Sequence, residues 1–322
     1  MIDVISDEKT WNEHVLSMEG HPLQLWGWGA VKSAYNWKAE RILVRNGNEV
    51  IGGAQLLIRP LPAPFRALVY VPRGPFGASE TVAKELPAYI KRAWHPTYLC
   101  IEPNSESFTA GKGWRKSPNS ILLARTIALD LTLSEEQLLA GMAKKTRQYI
   151  RKSANEGVNI QRVTSPEAIE ECLAIYKQTA ERAGFDLHDD EYYHTIHRQM
   201  GEASVVFGAY KGQELVAFVW LVVSQHTAFE LYGGMNDEGQ KLRANYSLKW
   251  HAIRKCREWG VGVYDMNGLL NDGISTFKQG FAEQETVLAG AYDYPLSPVY
   301  YVWTTLLPSI KNLVRMAKRS KR

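Results

Sequence analysis

The sequence predicts an α/β fold made twice over: two tandem modules, each a mixed sheet flanked by helices. Three observations predict it. The chain has 322 residues, more than a single core usually holds. A strand–turn–strand pattern occurs twice, in Arg45-Asn-Gly-Asn-Glu-Val-Ile-Gly-Gly-Ala-Gln-Leu-Leu-Ile58 and in Tyr210-Lys-Gly-Gln-Glu-Leu-Val-Ala-Phe-Val-Trp-Leu-Val-Val223; setting Gly47 on Gly212 places Glu49 on Glu214, Val50 on Leu215, Ile51 on Val216 and Leu56 on Leu221. After each copy the same succession recurs, a strand, a helix and a strand.

In the first copy a tight turn at Asn46-Gly47 joins the two strands. Ala67 to Val71 is the next strand, Val82 to Ala93 a helix and Tyr98 to Glu102 another strand. Pro60-Leu-Pro62-Ala-Pro64 reads as a stiff loop inside this module. In the second copy the turn is Lys211-Gly212 and the next strand is Ala228 to Tyr232. Leu248, Ala252, Ile253 and Cys256 recur at helical spacing within Leu242 to Trp259. Gly260 ends that helix, and Val261 to Met266 is the following strand. Gly141 to Gly157 reads as a basic helix joining the modules, and Pro166 to Glu181 as a helix with Ile169, Leu173, Tyr176 and Ala180 on one face. This order is that of the acetyltransferase-like (GNAT-type) α/β sandwich, in which one strand pair splays to admit a substrate. The expected division is residues 1–143, with 293–322 packing back on them, and residues 144–292, the working cleft lying between the two.

With 45% hydrophobic and 22% charged residues the chain can fill two cores, which excludes a disordered role. Cys100, Cys172 and Cys256 are widely spaced and form no CxxC, so reduced thiols in a cytoplasmic setting are expected. Met1 to Thr10 carries Asp3, Asp7 and Glu8 and lacks the basic start and apolar run of a signal peptide. Val299 to Ile310 is the most apolar stretch; it falls short of the ~20 residues a membrane span needs, and it contains Pro308. The net charge of +4 is mild, but Lys311 to Arg322 carries six basic residues and no acid, and Lys144, Lys145, Arg147, Arg151 and Lys152 form a second run. Two solvated faces, or attraction to a polyanion, either nucleic acid or an anionic bilayer surface, account for them. His188, His194 and His197 with Asp189 and Asp190 match no zinc spacing; a helix starting near Asp189 explains them, and no metal is expected.

An acetyl-CoA enzyme of this fold opens its central helix with a glycine-rich loop whose bare amides cradle the pyrophosphate. Here the stretch is Gln240-Lys241-Leu242-Arg243-Ala244-Asn245, with Arg243 and Asn245 where the glycines belong. That argues against acetyl-CoA.

Five motifs occur in order: Leu23-Gln-Leu-Trp26-Gly27-Trp-Gly-Ala-Val-Lys32, Tyr70-Val-Pro-Arg73-Gly74-Pro75, Leu231-Tyr232-Gly-Gly, Asn245-Tyr-Ser-Leu-Lys-Trp250 and Phe277-Lys278-Gln-Gly280-Phe281. Together they resemble the Fem family of non-ribosomal peptidyltransferases, over nearly the whole chain. The chain resembles the family's compact members, with no insertion long enough for the helical hairpin that others carry. The resemblance implies paired acetyltransferase-like modules and transfer of glycine, alanine or serine from aminoacyl-tRNA to the stem-peptide amine of a peptidoglycan precursor. No cofactor is expected, since aminoacyl-tRNA is a co-substrate. The precursor is lipid-linked or UDP-linked; the basic C-terminus is a candidate contact with the inner membrane surface, and DNA is not an expected partner.

Attack of an amine on an activated aminoacyl ester needs positioning, loss of a proton and stabilisation of an oxyanion. No Ser-His-Asp or Cys-His pattern commits the chain to a covalent intermediate. Lys278 sits between apolar Phe277 and Gly280, so its ammonium can project from a tight segment toward the oxyanion; a surface lysine is the plain alternative. The resemblance implies that same role for Lys278, a contact of Phe277 with the tRNA acceptor end, and phosphate binding by Lys32 and Arg182. Arg182 has an ion pair with a neighbouring acid as its alternative. Tyr70 and Tyr232 line a sugar and peptide groove or serve as core aromatics, and Arg73 binds substrate or holds the Arg-Gly-Pro turn. Many family members place an Asp shortly after that motif; here Phe76-Gly77-Ala78-Ser79 comes next and the first acid is Glu80, so the sequence departs from the family pattern at that position and no general base is assigned there. The rival readings are an acetyl-CoA-dependent N-acyltransferase acting on a small amine, and a tRNA- or membrane-binding adaptor.

Overall fold

The computed structural model describes residues 1–109, 111–270 and 272–306. They form two compact units. Unit 1 comprises Met1–Met18, Gln24–Ala124 and the segment from Leu288 onward; unit 2 comprises Glu19–Leu23 and Arg125–Val287. In chain order the strands are β1 (Ile2–Val4), β2 (Lys38–Asn46), β3 (Glu49–Pro60), β4 (Ala67–Pro72), β5 (Phe76–Gly77), β6 (Tyr98–Glu102), β7 (Arg115–Lys116), β8 (Arg125–Thr126), β9 (Ala128–Asp130), β10 (Val158–Val163), β11 (Ser204–Lys211), β12 (Glu214–Val223), β13 (Thr227–Met235), β14 (Val263–Asp265), β15 (Thr286–Val287) and β16 (Tyr292–Pro295). The α-helices are α1 (Glu8–Ser17), α2 (Trp26–Ser33), α3 (Ser79–Trp94), α4 (Glu135–Ala140), α5 (Lys144–Asn155), α6 (Pro166–Ala183), α7 (Asp190–Met200), α8 (Asp237–Leu242), α9 (Ala244–Glu258) and α10 (Gly273–Gln279).

The sheet of unit 1 runs β1-β2-β3-β4-β6-β16-β7, with β5 beside β3; that of unit 2 runs β10-β11-β12-β13-β14-β9. Each has one parallel pair, β4 with β6 and β13 with β14, among otherwise antiparallel neighbours. The duplication extends to its irregularities. The β2–β3 register slips between Val44 and Arg45 and the β11–β12 register between Ala209 and Tyr210, the same steps before the aligned turn glycines. Gly47 and Gly212 adopt φ of +59° and +61°, which a Cβ would strain.

Within unit 2, β13 pairs with β14 only from Thr227–Phe229 to Val263–Asp265 and then runs on to Met235. The two strands part there, as the sandwich requires. In unit 1 the corresponding pair stays together to Pro72 and Glu102.

Apolar faces build each core. In unit 1, Val82, Ala83, Leu86 and Ile90 of α3 pack on Leu56, Val69, Val71, Leu99 and Ile101 of the sheet. In unit 2, Leu248, Ala252, Ile253 and Cys256 of α9 pack against Val219, Leu221, Ala228 and Tyr264. The basic run lies in α5, inside unit 2, where Ser153 and Ser247 hydrogen bond at 2.7 Å to tie α5 to α9. The histidine-rich stretch is a helix, capped by Asp189, whose carboxylate accepts the Tyr192 N–H.

After β16 the Tyr300 hydroxyl donates to Asp293 at 2.8 Å and Trp303 packs against Phe65 with centroids 4.8 Å apart, while Tyr301 is exposed. The basic amphipathic pattern from Pro308 onward lies outside the described residues. No helix among the described residues is long and apolar enough to cross a membrane.

Candidate functional site

Unit 1 gathers two cations that sequence spacing does not pair. Lys32, in the last turn of α2, sets its ammonium 4.7 Å from the Trp28 ring centroid, one turn back. Burial and the nearby charge of Arg59 push its pKa down to about 8. The Arg59 guanidinium, near the end of β3, lies 5.4 Å over the Trp37 ring, and Trp37 in turn approaches Tyr70 at 6.4 Å. Two like charges facing one another on an aromatic floor are a site that a phosphate dianion would relieve.

Tyr70 and Arg73 lie deeper. Tyr70 is 4% exposed, and its hydroxyl donates to Glu102, a buried carboxylate that also accepts the Ile121 and Leu122 N–H groups at 2.7 and 3.1 Å. Burial raises the Glu102 pKa and lifts that of Tyr70 well above its ordinary value. Arg73 is 1% exposed at a φ of +47° and donates to the Leu123 carbonyl at 2.9 Å, tying the Arg-Gly-Pro turn to that loop. Glu80, the first acid after the motif, accepts the Thr109 N–H at 2.8 Å.

Unit 2 places Lys278 and Phe277 on α10, at the point where β13 and β14 part. The carboxylate of Asp272 caps that helix through the Ser275 N–H. Immediately after β14 the backbone turns through Asn267 and Gly268, both at positive φ, and the Lys278 ammonium donates to both of their carbonyls, to Gly268 at 3.0 Å. Burial, opposed by the charge of Glu230, pushes the Lys278 pKa down to about 8. Behind it Lys249 of α9 donates to both Glu230 oxygens at 2.5 and 2.6 Å, and the Tyr264 hydroxyl donates to Glu230 at 2.6 Å. Phe277 rests edge-on against Tyr246 and Phe281, with centroids 4.9 and 5.3 Å away.

Tyr232 and Arg182 do not join this cluster. Opposite Trp220 and Leu221 the register of β13 slips by one residue, Leu231 being the extra one. A slip of one reverses the facing of every residue beyond it. Glu230 therefore faces α9, while Tyr232, two residues on, faces α6 and α7, its ring 5.4 Å from Tyr176 and 5.0 Å from Tyr193. Arg182, in the last turn of α6, donates to the Met235 carbonyl at the end of β13 and stands 3.5 Å from Asp237. It belongs to the Tyr232 side of the sheet.

Arg243 occupies the position between α8 and α9 where an acetyl-CoA enzyme would carry glycine. It keeps the glycine-like conformation, with φ of +53°, and its guanidinium lies 3.8 Å over the Tyr149 ring.

Sequence reasoning missed Arg59, Glu102, Glu230 and Lys249. Two of them left a signal. Lys249 shares the buried stripe of α9 with Ala252, Ile253 and Cys256, and Glu230 is the one acid within the apolar run of β13. Charges at core positions need partners, and these two partner each other.

The acetyltransferase (GNAT) domain family matches residues 140–279, and the FemAB family matches residues 7–112. Lipid II:glycine glycyltransferase of Staphylococcus aureus (strain COL) is 22% identical, aligned over 96% of this chain and 98% of its own. The crystal structure of FemX superposes with a TM-score of 0.82 at 19% identity, over 94% of this chain and 99% of that one. A tandem GNAT protein from the clavulanic acid biosynthesis pathway superposes at 0.52 and 12% identity, over 92% of this chain and 99% of that one. These structural likenesses show the fold, two GNAT-like halves in one chain. The FemAB match over residues 7–112 and the full-length alignment to the glycyltransferase support membership of the Fem family.

Proposed function

We propose that this protein takes an amino acid from aminoacyl-tRNA and attaches it to the stem-peptide amine of a peptidoglycan precursor. It is an acyltransferase of peptidoglycan cross-bridge synthesis; the tRNA donor, the residue roles and the place of action are the proposal. The observation that carries it is Lys278, a partly buried ammonium beside Phe277 at the mouth of the parted strands. The acceptor nitrogen attacks the ester carbonyl, the C–N bond forms, and negative charge gathers on the carbonyl oxygen. Lys278 stabilises that oxygen by charge and hydrogen bonding. Collapse breaks the ester C–O bond, and the proton lost by the amine ends on the departing ribose hydroxyl. Phe277 offers a ring face to the terminal base. In unit 1, Lys32 with Arg59 receives the precursor's phosphates, and Tyr70 and Arg73 support that groove from behind; in unit 2, Arg182 and Tyr232 offer a separate contact to an anionic group and to the peptide.

Incubating the protein with a mixed aminoacyl-tRNA pool and precursor, then weighing the precursor by mass spectrometry, tests this. A mass increase of one glycyl, alanyl or seryl residue is expected; an unchanged precursor overturns it. Both lipid-linked and UDP-linked precursors are offered. The protein acts at the inner membrane face, with the basic residues of 311–322 near anionic lipid. Deleting residues 309–322 lowers sedimentation with anionic vesicles if so, and equal sedimentation overturns that placement.

A further inference from the structure

We propose that Lys249, clamped by Glu230, is a positioning residue that fixes the Phe277 ring and the Lys278 ammonium at the transfer site. The proposal rests on the oxyanion role of Lys278. Lys249 and Glu230 are 5% and 7% exposed, so both charges have left water. A buried ion pair seldom stabilises a fold more than well-packed apolar side chains of similar volume, so stability does not account for its presence.

The geometry gives the pair another task. Both Glu230 oxygens accept from the ammonium, which leaves one N–H of Lys249 outside the clamp. That ammonium stands 5.3 Å from the centroid of Phe277 and 6.0 Å from that of Phe281. Tyr246, one turn earlier on α9, meets the same two rings. The Tyr246–Lys249 edge of α9 therefore holds the aromatic face of α10, and Lys278 is the residue after Phe277. The groups that face Lys278 are Glu230 from β13, Lys249 from α9, Asp265 from β14 and Asp272 before α10. Asp265 is engaged by Thr126 at 2.5 Å and Asp272 by Ser275 at 2.7 Å. The Glu230–Lys249 pair thus presents Lys278 with two opposite charges held at fixed positions. Glu230 favours the ammonium form and Lys249 opposes it.

The test uses full-length Lys249→Met, Glu230→Gln and the double variant, in which no buried charge is left alone. Two readouts are taken. The first is the pH at which acetic anhydride labels Lys278 half-maximally, read by mass spectrometry. Lys249→Met is expected to raise that midpoint and Glu230→Gln to lower it. The second is steady-state transfer from aminoacyl-tRNA. In the double variant kcat is expected to fall roughly tenfold or more while KM for both substrates stays within about twofold, at unchanged melting temperature. Midpoints that do not move in opposite directions, or a folded double variant with wild-type kcat, overturn the proposal. If the wild-type protein transfers nothing, the functional reading fails by itself, and the labelling arm still decides this one.

Discussion

The guanidinium of Arg243 lies 3.8 Å over the Tyr149 ring while its backbone holds a φ of +53°, a conformation natural to glycine. The backbone thus keeps a conformation that glycine adopts freely, while the position carries a side chain instead of a bare backbone. Coenzyme A is accordingly expected to leave the melting temperature unchanged. Arg243→Gly relieves a left-handed strain of about 1–2 kcal/mol but loses a cation–π contact of about 0.5–2 kcal/mol. Its net effect on stability is expected to lie within roughly 1 kcal/mol by urea denaturation. A clear thermal shift of the wild type with coenzyme A would favour the N-acyltransferase reading instead.

Lys278→Met is expected to lower turnover more than roughly tenfold with little change in substrate affinity, because an oxyanion contact strengthens chiefly in the transition state. The ammonium is the working form, and its pKa is about 8. The lysine is charged below that pH and neutral above it. The Lys278 contribution to kcat/KM for aminoacyl-tRNA, taken at saturating precursor, is therefore present at pH 7 and lost as pH rises through about 8. A descending limb near that pH in the wild type, absent from Lys278→Met, is the expected pH–rate result.

Lys32→Ala, Arg59→Ala and Arg182→Ala are expected to weaken precursor binding by about 1.5–3 kcal/mol each, the worth of a hydrogen bond to a charged group. Arg59 joins the set because its charge faces Lys32. The ammonium of Lys32 in the free protein is lost as pH rises through about 8, so precursor affinity falls over that range and Lys32→Ala flattens the fall. Calorimetric titration at pH 7 and pH 9 measures both effects. Equal affinity in all three variants would move the phosphate site elsewhere.

The repeated hairpin was legible because its turn glycines and apolar strands are local. The aligned bulges at Val44/Arg45 and Ala209/Tyr210 carry no residue signature, so only the structure reveals that the copies agree to that depth. The slip at Leu231 had the larger consequence. Reading β13 at strict alternation places Glu230 and Tyr232 on one face, whereas the extra residue sends them to opposite faces. Phe277 and Lys278 were visible as a motif, but their anchorage was not. The carbonyls of Asn267 and Gly268 that hold Lys278 are backbone groups, whose aim no side-chain pattern reports.

A final prediction concerns Asp293 of β16. Its carboxylate is wholly buried; Ser117 and Tyr300 donate to Oδ2 at 2.7 and 2.8 Å, and Oδ1 has no partner. Burial raises its pKa above the ordinary carboxylate value, with hydrogen bonds from Ser117, Tyr300 and Cys100 and the charge of Arg115 opposing the shift. An acid whose folded pKa exceeds its unfolded one binds its proton more tightly when folded. Its contribution to stability is thus greatest below the unfolded pKa and declines as pH rises through the folded one. Asp293→Asn keeps an acceptor for Ser117 and Tyr300 and cannot ionise. Relative to wild type the variant is therefore expected to gain stability as pH rises above the unfolded carboxylate pKa of about 4, whatever its offset at the acid end. Urea midpoints of both proteins across that range measure the difference. A difference that stays flat, or that runs the other way, would show that Asp293 ionises in the folded protein without cost.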